Sequence, residues 1–173
     1  WKRSVEKLSK KVYLIPNRCL GCEECIEACA KEHDWVARNY VEWIDLVYPV
    51  QMHCTHCTDA PCARVCPVNA IKVTEEGAVT IDESVCIGCG NCALVCPFGI
   101  PKFNTATKKV VKCDMCIDRQ REGREPACVE NCPTHALVFA EVDLFEEERR
   151  RRAARRILEA GTYLRDILMP QVG

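Results

Sequence analysis

The chain has 173 residues, of which 48% are apolar and 28% charged, and its net charge is −1. These values exclude a disordered chain and the strongly basic surface of a nucleic-acid-binding protein. No run of 18 apolar residues occurs, so we expect no membrane span. Sixteen cysteines, about 9% of the chain, are the feature that needs an explanation.

The start of the chain predicts the compartment. It reads Trp1-Lys2-Arg3-Ser4, without the apolar segment of a secretory signal. We therefore expect a cytoplasmic protein, because disulfides are rare in that reducing compartment and cysteine-rich chains there usually bind metal. Since the first residue is not methionine, it stays open whether residues precede Trp1.

Short strands are predicted along most of the chain. Aromatic and β-branched residues predict three of them, over 11–15, 37–53 and 137–142. The segments 71–74 and 78–81 predict a hairpin whose turn contains Gly77. The cysteines lie in the loops between these elements.

The cysteines form four groups of four in chain order, and none is left over. The first and third groups read C-x2-C-x2-C-x3-C, the second C-x2-C-x4-C-x3-C and the fourth C-x2-C-x11-C-x3-C. A proline follows the last cysteine of groups two, three and four. The groups are Cys19, Cys22, Cys25 and Cys29; Cys54, Cys57, Cys62 and Cys66; Cys86, Cys89, Cys92 and Cys96; and Cys113, Cys116, Cys128 and Cys132.

The first and third groups have the spacing of bacterial ferredoxins. Three thiolates on such a loop bind three corners of a 4Fe-4S cubane, and Gly88 and Gly90 let the backbone approach the sulfurs. The fourth cysteine points away and ligates the other cluster of a pair. With four thiolates per cubane, the sixteen cysteines predict four 4Fe-4S clusters and leave no thiol for catalysis.

Structural zinc and disulfides are the alternative explanations. Zinc sites made only of cysteine typically use two separated C-x2-C pairs, whereas groups two and four each contain one such pair. Disulfides need an oxidising compartment and do not explain a fourfold C-x2-C repeat. Iron–sulfur clusters are therefore the favoured interpretation.

The segments that follow the last three groups repeat one unit of cluster loop, proline, small residue and apolar strand. We predict an α+β fold of tandem bacterial-ferredoxin-like modules, one inserted in the other. The polyferredoxin body covers 11–142, with an inner module at 54–100 and an outer module made of 11–53 plus 101–142. Because the clusters replace much of the apolar core, removing iron should unfold the chain.

A C-terminal helical extension is predicted over 143–169, with Asp143 as its N-cap and Glu146 three residues later. An arginine-rich run follows at 149–156. C-terminal to this run, five residues form a partial apolar stripe: Ile157, Leu158, Leu164, Ile167 and Leu168. Three roles stay open: a solvated helix folded on the body, a docking arm for a partner subunit or for self-association, and a membrane-surface helix. The acidic first turn argues against the last of these.

Four motifs carry a family resemblance: 19–29 (CLGCEECIEAC), 54–62 (CTHCTDAPC), 112–119 (KCDMCIDR) and 126–134 (PACVENCPT). They resemble the four-cluster electron-transfer subunits of molybdenum or tungsten pterin oxidoreductases. Dimethyl sulfoxide reductase, formate dehydrogenase, formate hydrogenlyase and tungsten aldehyde oxidoreductases have such subunits. The resemblance covers about residues 11–142.

The resemblance also implies a ligand set for each cluster, with three cysteines from one group and one from another. The implied sets are Cys19, Cys22, Cys25 and Cys132; Cys113, Cys116, Cys128 and Cys29; Cys54, Cys57, Cys62 and Cys96; and Cys86, Cys89, Cys92 and Cys66. This agrees with the crossed ligands that the ferredoxin spacing itself predicts.

The function implied is a non-catalytic relay of single electrons between a catalytic oxidoreductase subunit and another redox partner, either a second subunit or a ferredoxin. A molybdenum or tungsten pterin enzyme acting on formate or an aldehyde is the expected catalytic partner. A hydrogenase or carbon monoxide dehydrogenase complex and a free polyferredoxin are the alternatives. A zinc-bound interaction module and an enzyme with an open iron site are weaker ones. The near-neutral charge favours a docked subunit over a free carrier.

The histidines are expected to form hydrogen bonds or lie at the surface, although all four are close to cysteines in sequence. A role as metal ligands is the alternative, but the cysteines already supply four ligands per cluster. The residues concerned are His33, His53, His56 and His135.

Overall fold

The computed structural model describes residues 10–168, with side chains through residue 160. The predictions for Trp1 to Ser4 and for residue 169 therefore lie outside the described residues. The strands are β1 (Lys10–Leu14), β2 (Tyr40–Ile44), β3 (Tyr48–Met52), β4 (Ile71–Val73), β5 (Val79–Ile81), β6 (Lys102–Asn104), β7 (Lys109–Val111) and β8 (Leu137–Glu141). The helices are α1 (Glu24–Glu32), α2 (Pro61–Arg64), α3 (Asn91–Val95), α4 (Ile117–Arg121), α5 (Ala127–Glu130) and α6 (Val142–Leu168), with a 3-10 turn at Pro16–Arg18. This mixture of short helices and strands confirms the α+β class.

The strands form four two-stranded sheets, in which β1 pairs with β8 and the others pair antiparallel with their neighbours in sequence. The β4–β5 hairpin confirms the prediction around Gly77 and places Ile71 opposite Ile81. The stretch 37–53, expected as one strand, forms the hairpin β2–β3. Asp45 and Leu46 have φ values of 51° and 57° in the turn between them. Two consecutive left-handed residues reverse the chain tightly, which divides the stretch into two strands.

The apolar core has two clusters, and cysteines belong to both. The first contains residues near groups one and four: Val12, Cys25, Ala78, Met115, Ile117, Cys128, Val129 and Leu137. The second contains residues near groups two and three: Ala60, Cys62, Ala70, Ile71, Val79, Cys86, Cys92 and Val110. Because the cysteines are part of the core, a group that binds their sulfurs also holds the fold together.

The chain divides into two compact units, Ser9–Phe139 and a second unit that contains α6. The helix α6 begins at Val142, which leaves Glu141 in the N-cap position, so the prediction of Asp143 as its N-cap is wrong by two residues. The physical reason is that β8 ends at Glu141 and continues directly into the helix, without a loop residue to act as a cap. Asp143 lies in the first turn, where a carboxylate interacts favourably with the helix dipole.

Three of the arginines in 149–156 pair with glutamates of the same helix, four residues earlier. The N–O distances are 3.6 Å for Arg150–Glu146 and 2.7 Å for both Arg151–Glu147 and Arg152–Glu148. Side chains from residue 146 to residue 160 are exposed, including Ile157 of the predicted stripe. The side chains of Leu164, Ile167 and Leu168 lie outside the described part. Within residues 10–168, no helix has the length and apolar character needed to cross a membrane.

Candidate metal centres

Each cysteine group begins with a loop that curls back towards its own first cysteine. The residue two positions after that cysteine has a positive φ in all four groups: Gly21 (68°), His56 (47°), Gly88 (70°) and Met115 (64°). In three groups its N–H donates to the cysteine Sγ at 3.4 Å: His56 to Cys54, Gly88 to Cys86 and Met115 to Cys113. These donors favour the thiolate form of the cysteine.

His56 and Met115 are functional positions that sequence reasoning missed. A left-handed conformation costs a non-glycine residue about 1–2 kcal/mol, and close approach of the backbone to the sulfurs was predicted only at the glycines Gly88 and Gly90. The signal that could have found them is position, because His56 and Met115 lie two residues after the first cysteine of their groups, as Gly88 does. The surrounding structure must therefore hold both residues in an unfavourable backbone conformation.

The Cys-Pro segments contain a second turn of the same kind. The third residue after the cysteine has a positive φ at Asn69, Gly99 and His135. The N–H of the following residue returns to the sulfur at 3.2 Å in two segments, from Ala70 to Cys66 and from Ala136 to Cys132. The repeated Cys-Pro unit therefore has a local purpose, which is to direct a backbone donor at the last cysteine of the group.

Three cavities are each lined by four cysteines, three from one group and one from another. We number the four-cysteine sets as sites I to IV. Site I is Cys19, Cys22, Cys25 and Cys132; site III is Cys54, Cys57, Cys62 and Cys96; site IV is Cys66, Cys86, Cys89 and Cys92. The structure thus brings together three of the four sets that the resemblance implies.

The remaining cysteines, Cys29, Cys113, Cys116 and Cys128, are site II. Burial raises the pKa of Cys128 well above its usual value, and the charges of the other three raise it further. Burial also raises the pKa of Cys116 to about 12. The backbone N–H of Arg38 donates to the sulfur of Cys29 at 3.3 Å. These four thiols therefore interact electrostatically as one set.

Thiolates can accumulate in these sites only beside a compensating positive charge. Burial, and then the charges of Cys132, Cys19 and Cys22, raises the pKa of Cys25 to about 12. A bound metal centre displaces the thiol protons and supplies that charge. Four sulfurs per site, with backbone N–H groups directed at them, are the ligands that iron–sulfur clusters use. The residues present therefore fit a 4Fe-4S cluster in each site.

A buried arginine ties together helices that carry ligands of sites I and II. Arg119, on α4, donates to Glu32 Oε2 at 2.8 Å and also to the carboxylate of Glu130. Glu32 is the last residue of α1, and Glu130 is the last residue of α5. One guanidinium thus holds two cysteine-bearing helices in place.

The histidines form hydrogen bonds or lie at the surface, as expected. His33 donates from Nε2 to Asp114 at 3.1 Å, and its Nδ1 lies 2.7 Å from the carbonyl oxygen of Cys29. Burial lowers the pKa of His33, but the hydrogen bonds with Asp114 and Cys29 outweigh it and raise the pKa to about 10. His53 contacts Gln51 Oε1 and the carbonyl oxygen of Val12, and His135 is exposed.

Residues 45–142 match the family model described as 4Fe-4S dicluster domain. The chain belongs to this family. The matched segment contains the cysteines from Cys54 to Cys132, which are groups two, three and four. Group one lies before it, so the family match by itself does not include the first cysteine loop.

Curated proteins resemble the chain over most of its length. The B subunit of anaerobic dimethyl sulfoxide reductase of Escherichia coli (strain K12) is 38% identical over 151 residues, which is 76% of this chain and 73% of that protein. The probable anaerobic dimethyl sulfoxide reductase subunit YnfG of the same strain is 37% identical over 150 residues, 76% of this chain and 73% of its own. The putative electron transport protein YsaA, also of that strain, is 39% identical over 148 residues, 78% of this chain and 92% of its own. These similarities confirm the predicted family resemblance.

Gly88→Ala should destabilise the cluster-loaded chain more than Gly90→Ala. Both positions have a positive φ, at which alanine costs about 1–2 kcal/mol. A Cβ at Gly88 would lie 2.2 Å from the carbonyl oxygen of Lys108, whereas a Cβ at Gly90 meets nothing within 4 Å among the described residues. Heating both variants anaerobically and following visible absorbance measures the difference. Equal midpoint temperatures would contradict the packing of this loop.

Paired cysteine substitutions should reveal which thiols share a site. Cys25→Ala combined with Cys132→Ala affects site I alone and should remove about four irons. Cys25→Ala combined with Cys128→Ala affects sites I and II and should remove about eight. Iron per chain in anaerobically prepared protein is the measurement. If both double variants lose the same amount of iron, the grouping of Cys132 with site I is wrong.

Proposed function

We propose that this chain is a non-catalytic electron-transfer subunit that holds four 4Fe-4S clusters, one in each of sites I to IV. The observation that carries this proposal is the lining of three cavities by three cysteines of one group and one of another. Paired cubanes need this arrangement, because the fourth ligand crosses to the neighbouring cluster. Membership of the 4Fe-4S dicluster family supports it.

The same crossing supports a tandem arrangement with one module inserted in the other. Sites III and IV take all their cysteines from 54–100, and sites I and II take theirs from 11–53 plus 101–142. The two apolar clusters divide in nearly the same way. The exceptions are Ala78 of the inner segment, which packs in the first cluster, and Val110 of the outer segment, which packs in the second. In this arrangement, residues 143–169 are the helical extension.

We infer that the clusters lie in the order I, II, III, IV. Helix α1 carries a ligand of site I and a ligand of site II, Cys25 and Cys29. For sites II and III, the pKa of Cys113 is raised to about 12, first by burial and next by the charge of Cys54. All sixteen cysteines are among the described residues, and only Cys22 of site I and Cys89 of site IV are exposed. Sites I and IV, which have the exposed ligands, are therefore the two ends of the proposed row of clusters.

Exposed apolar side chains surround both proposed ends. Leu20, which follows the first cysteine of group one, is exposed, and so is Trp43 of β2, whose ring lies against Gly21 of the same loop. Around Cys89, Ile87 is exposed and Leu94 is 85% exposed. Apolar surface of this kind is typical of protein interfaces. We propose that one end receives the catalytic subunit and the other a second redox subunit or a ferredoxin.

The clusters supply one-electron redox chemistry, and the chain supplies their environment. Backbone N–H groups directed at the sulfurs stabilise negative charge on them, and fourteen of the sixteen described cysteines are buried or half-buried, which limits their contact with water. We propose a reducing, cytoplasmic compartment, because the function requires sixteen free thiols for metal binding.

We propose a molybdenum or tungsten pterin enzyme as the catalytic partner. Support comes from the similarity to proteins named as subunits of dimethyl sulfoxide reductase. Formate or an aldehyde as the substrate of that partner depends on the family resemblance alone. A hydrogenase or carbon monoxide dehydrogenase complex is the alternative. The exposed side chains of α6 suit a docking arm for such a partner or for a second copy of the chain.

Anaerobically purified chain should contain about sixteen irons, four for each site, and little zinc. Its visible absorbance should bleach with dithionite, and the reduced protein should give a paramagnetic signal. The bleaching and the paramagnetic signal both follow from one-electron reduction of each cubane. Metal analysis and electron paramagnetic resonance check them together. Stoichiometric zinc without a paramagnetic signal would identify an interaction module instead.

Affinity purification of the chain from native extract should recover a larger complex that contains molybdenum or tungsten. The expectation follows from the apolar surface at both ends, which a docked subunit would cover. Gel filtration and metal analysis of the recovered material are the measurements. A lone brown protein of 19.6 kDa would indicate a free polyferredoxin, and nickel would indicate a hydrogenase or carbon monoxide dehydrogenase.

A further inference from the structure

His56 lies where the two pairs of sites meet. It belongs to the loop of site III, and its side chain is 2% exposed. Its backbone N–H donates to Cys54 Sγ, a site III ligand, at 3.4 Å. Its Nε2 lies 3.6 Å from Cys113 Sγ, a site II ligand, although Cys113 is 57 residues away in sequence. One residue thus contacts a ligand of each site.

A neighbouring backbone group determines the tautomer of His56. The N–H of Val79 points at His56 Nδ1, at 2.8 Å. A backbone N–H can only donate, so Nδ1 accepts and carries no proton. In the neutral ring the proton is then on Nε2, the atom that faces Cys113. His56 therefore donates one N–H···S bond from its backbone and another from its ring.

Two lysines hold this junction in position. Lys11 Nζ donates to the carbonyl oxygen of His56 at 2.9 Å. Lys112, which is buried, donates through Nζ to the carbonyl oxygens of Val79 and Cys113. The backbone on both sides of the imidazole is thereby fixed. This accounts for a histidine being kept at a φ of 47°, which is unfavourable for a residue with a side chain.

We propose that His56 is a positioning residue that sets the reduction potential of site II through its ring N–H···S bond to Cys113, and thereby the energy of the electron step between sites II and III. The inference depends on the proposed function, because it requires a cluster in each site. Hydrogen bonds to cluster sulfurs tune the potential. A donor stabilises the reduced, more negative form, so the ring N–H raises the potential of site II.

The test compares three variants of the full chain, purified anaerobically. His56→Leu removes the donor, and His56→Gln keeps an amide N–H at the same distance along the side chain. His53→Leu is the matched control, because it removes a half-buried imidazole next to Cys54 in sequence, whose ring contacts Gln51 and Val12. Potentials come from redox titrations followed by electron paramagnetic resonance. The signal of site II is the one lost in Cys128→Ser.

His56→Leu should lower the equilibrium constant for reduction of site II about tenfold, equivalent to about 59 mV for one electron. His56→Gln should restore most of that change, and His53→Leu should leave site II as in the unmodified chain. An unchanged potential in His56→Leu, or an equal shift in His53→Leu, would overturn the inference. So would a His56→Gln chain that behaves like His56→Leu.

A second measurement needs no change at His56. His33 Nδ1 also lies 3.6 Å from the sulfur of Cys29, another site II ligand, so the labelled chain carries His33→Gln. In this chain, labelled with ¹⁵N-histidine, pulsed electron paramagnetic resonance of reduced site II should detect imidazole nitrogen coupling and an exchangeable proton. Both should persist in His53→Leu. If a chain with all four clusters showed neither the nitrogen coupling nor the exchangeable proton, the proposed role of His56 would be refuted but the proposed function would not. Iron far below sixteen per unmodified chain would instead refute the proposed function, so the two failures are distinguishable.

Discussion

The burial of closely spaced thiols is the constraint on which this fold depends. Burial and neighbouring thiolates raise the pKa of Cys25 to about 12, and burial does the same for Cys116, so neither cysteine stays ionised without a cation beside it. The secondary structure alone cannot offset the free-energy cost of burying these thiolates. Helices α2 and α5 have four residues each, and strands β4 to β7 have three. Elements of this length are not stable alone. Metal binding to the sulfurs would therefore add folding free energy that these short elements cannot supply.

The crossing of cysteines between groups determines which parts of the chain are brought together. Cys132 lies in the same cavity lining as the first three cysteines of the chain, more than a hundred residues before it. A centre bound in that cavity would join both ends of the body, as Arg119 joins α1 to α5 by ion pairs. The same geometry keeps neighbouring sites close, because consecutive turns of one helix, α1, face two sites. The distribution of one group's cysteines between two sites therefore keeps neighbouring sites close and also joins distant parts of the chain.

The junction of sites II and III holds two of the five buried polar or charged residues in the described part of the chain. His56 and Lys112 are both buried there, among residues that are otherwise mostly apolar. Burial raises the pKa of Cys62 in site III, and the charge of Lys112 opposes that rise. The chain therefore places a positive charge and N–H donors where two negatively charged sites approach one another. Such groups lower the free-energy cost of negative charge at that place.

The sequence by itself determined the iron–sulfur family, because the first three cysteines of groups one and three lie within seven residues and can reach a common centre without help from distant parts of the chain. It also determined the β4–β5 hairpin, whose turn signal at Gly77 is local. The tertiary structure decided the left-handed conformations of His56 and Met115, the division of 37–53 into two strands, and the contact between His56 and Cys113. These depend on contacts between segments far apart in sequence. Spacing along the chain carries no information about which distant donor will face a given sulfur.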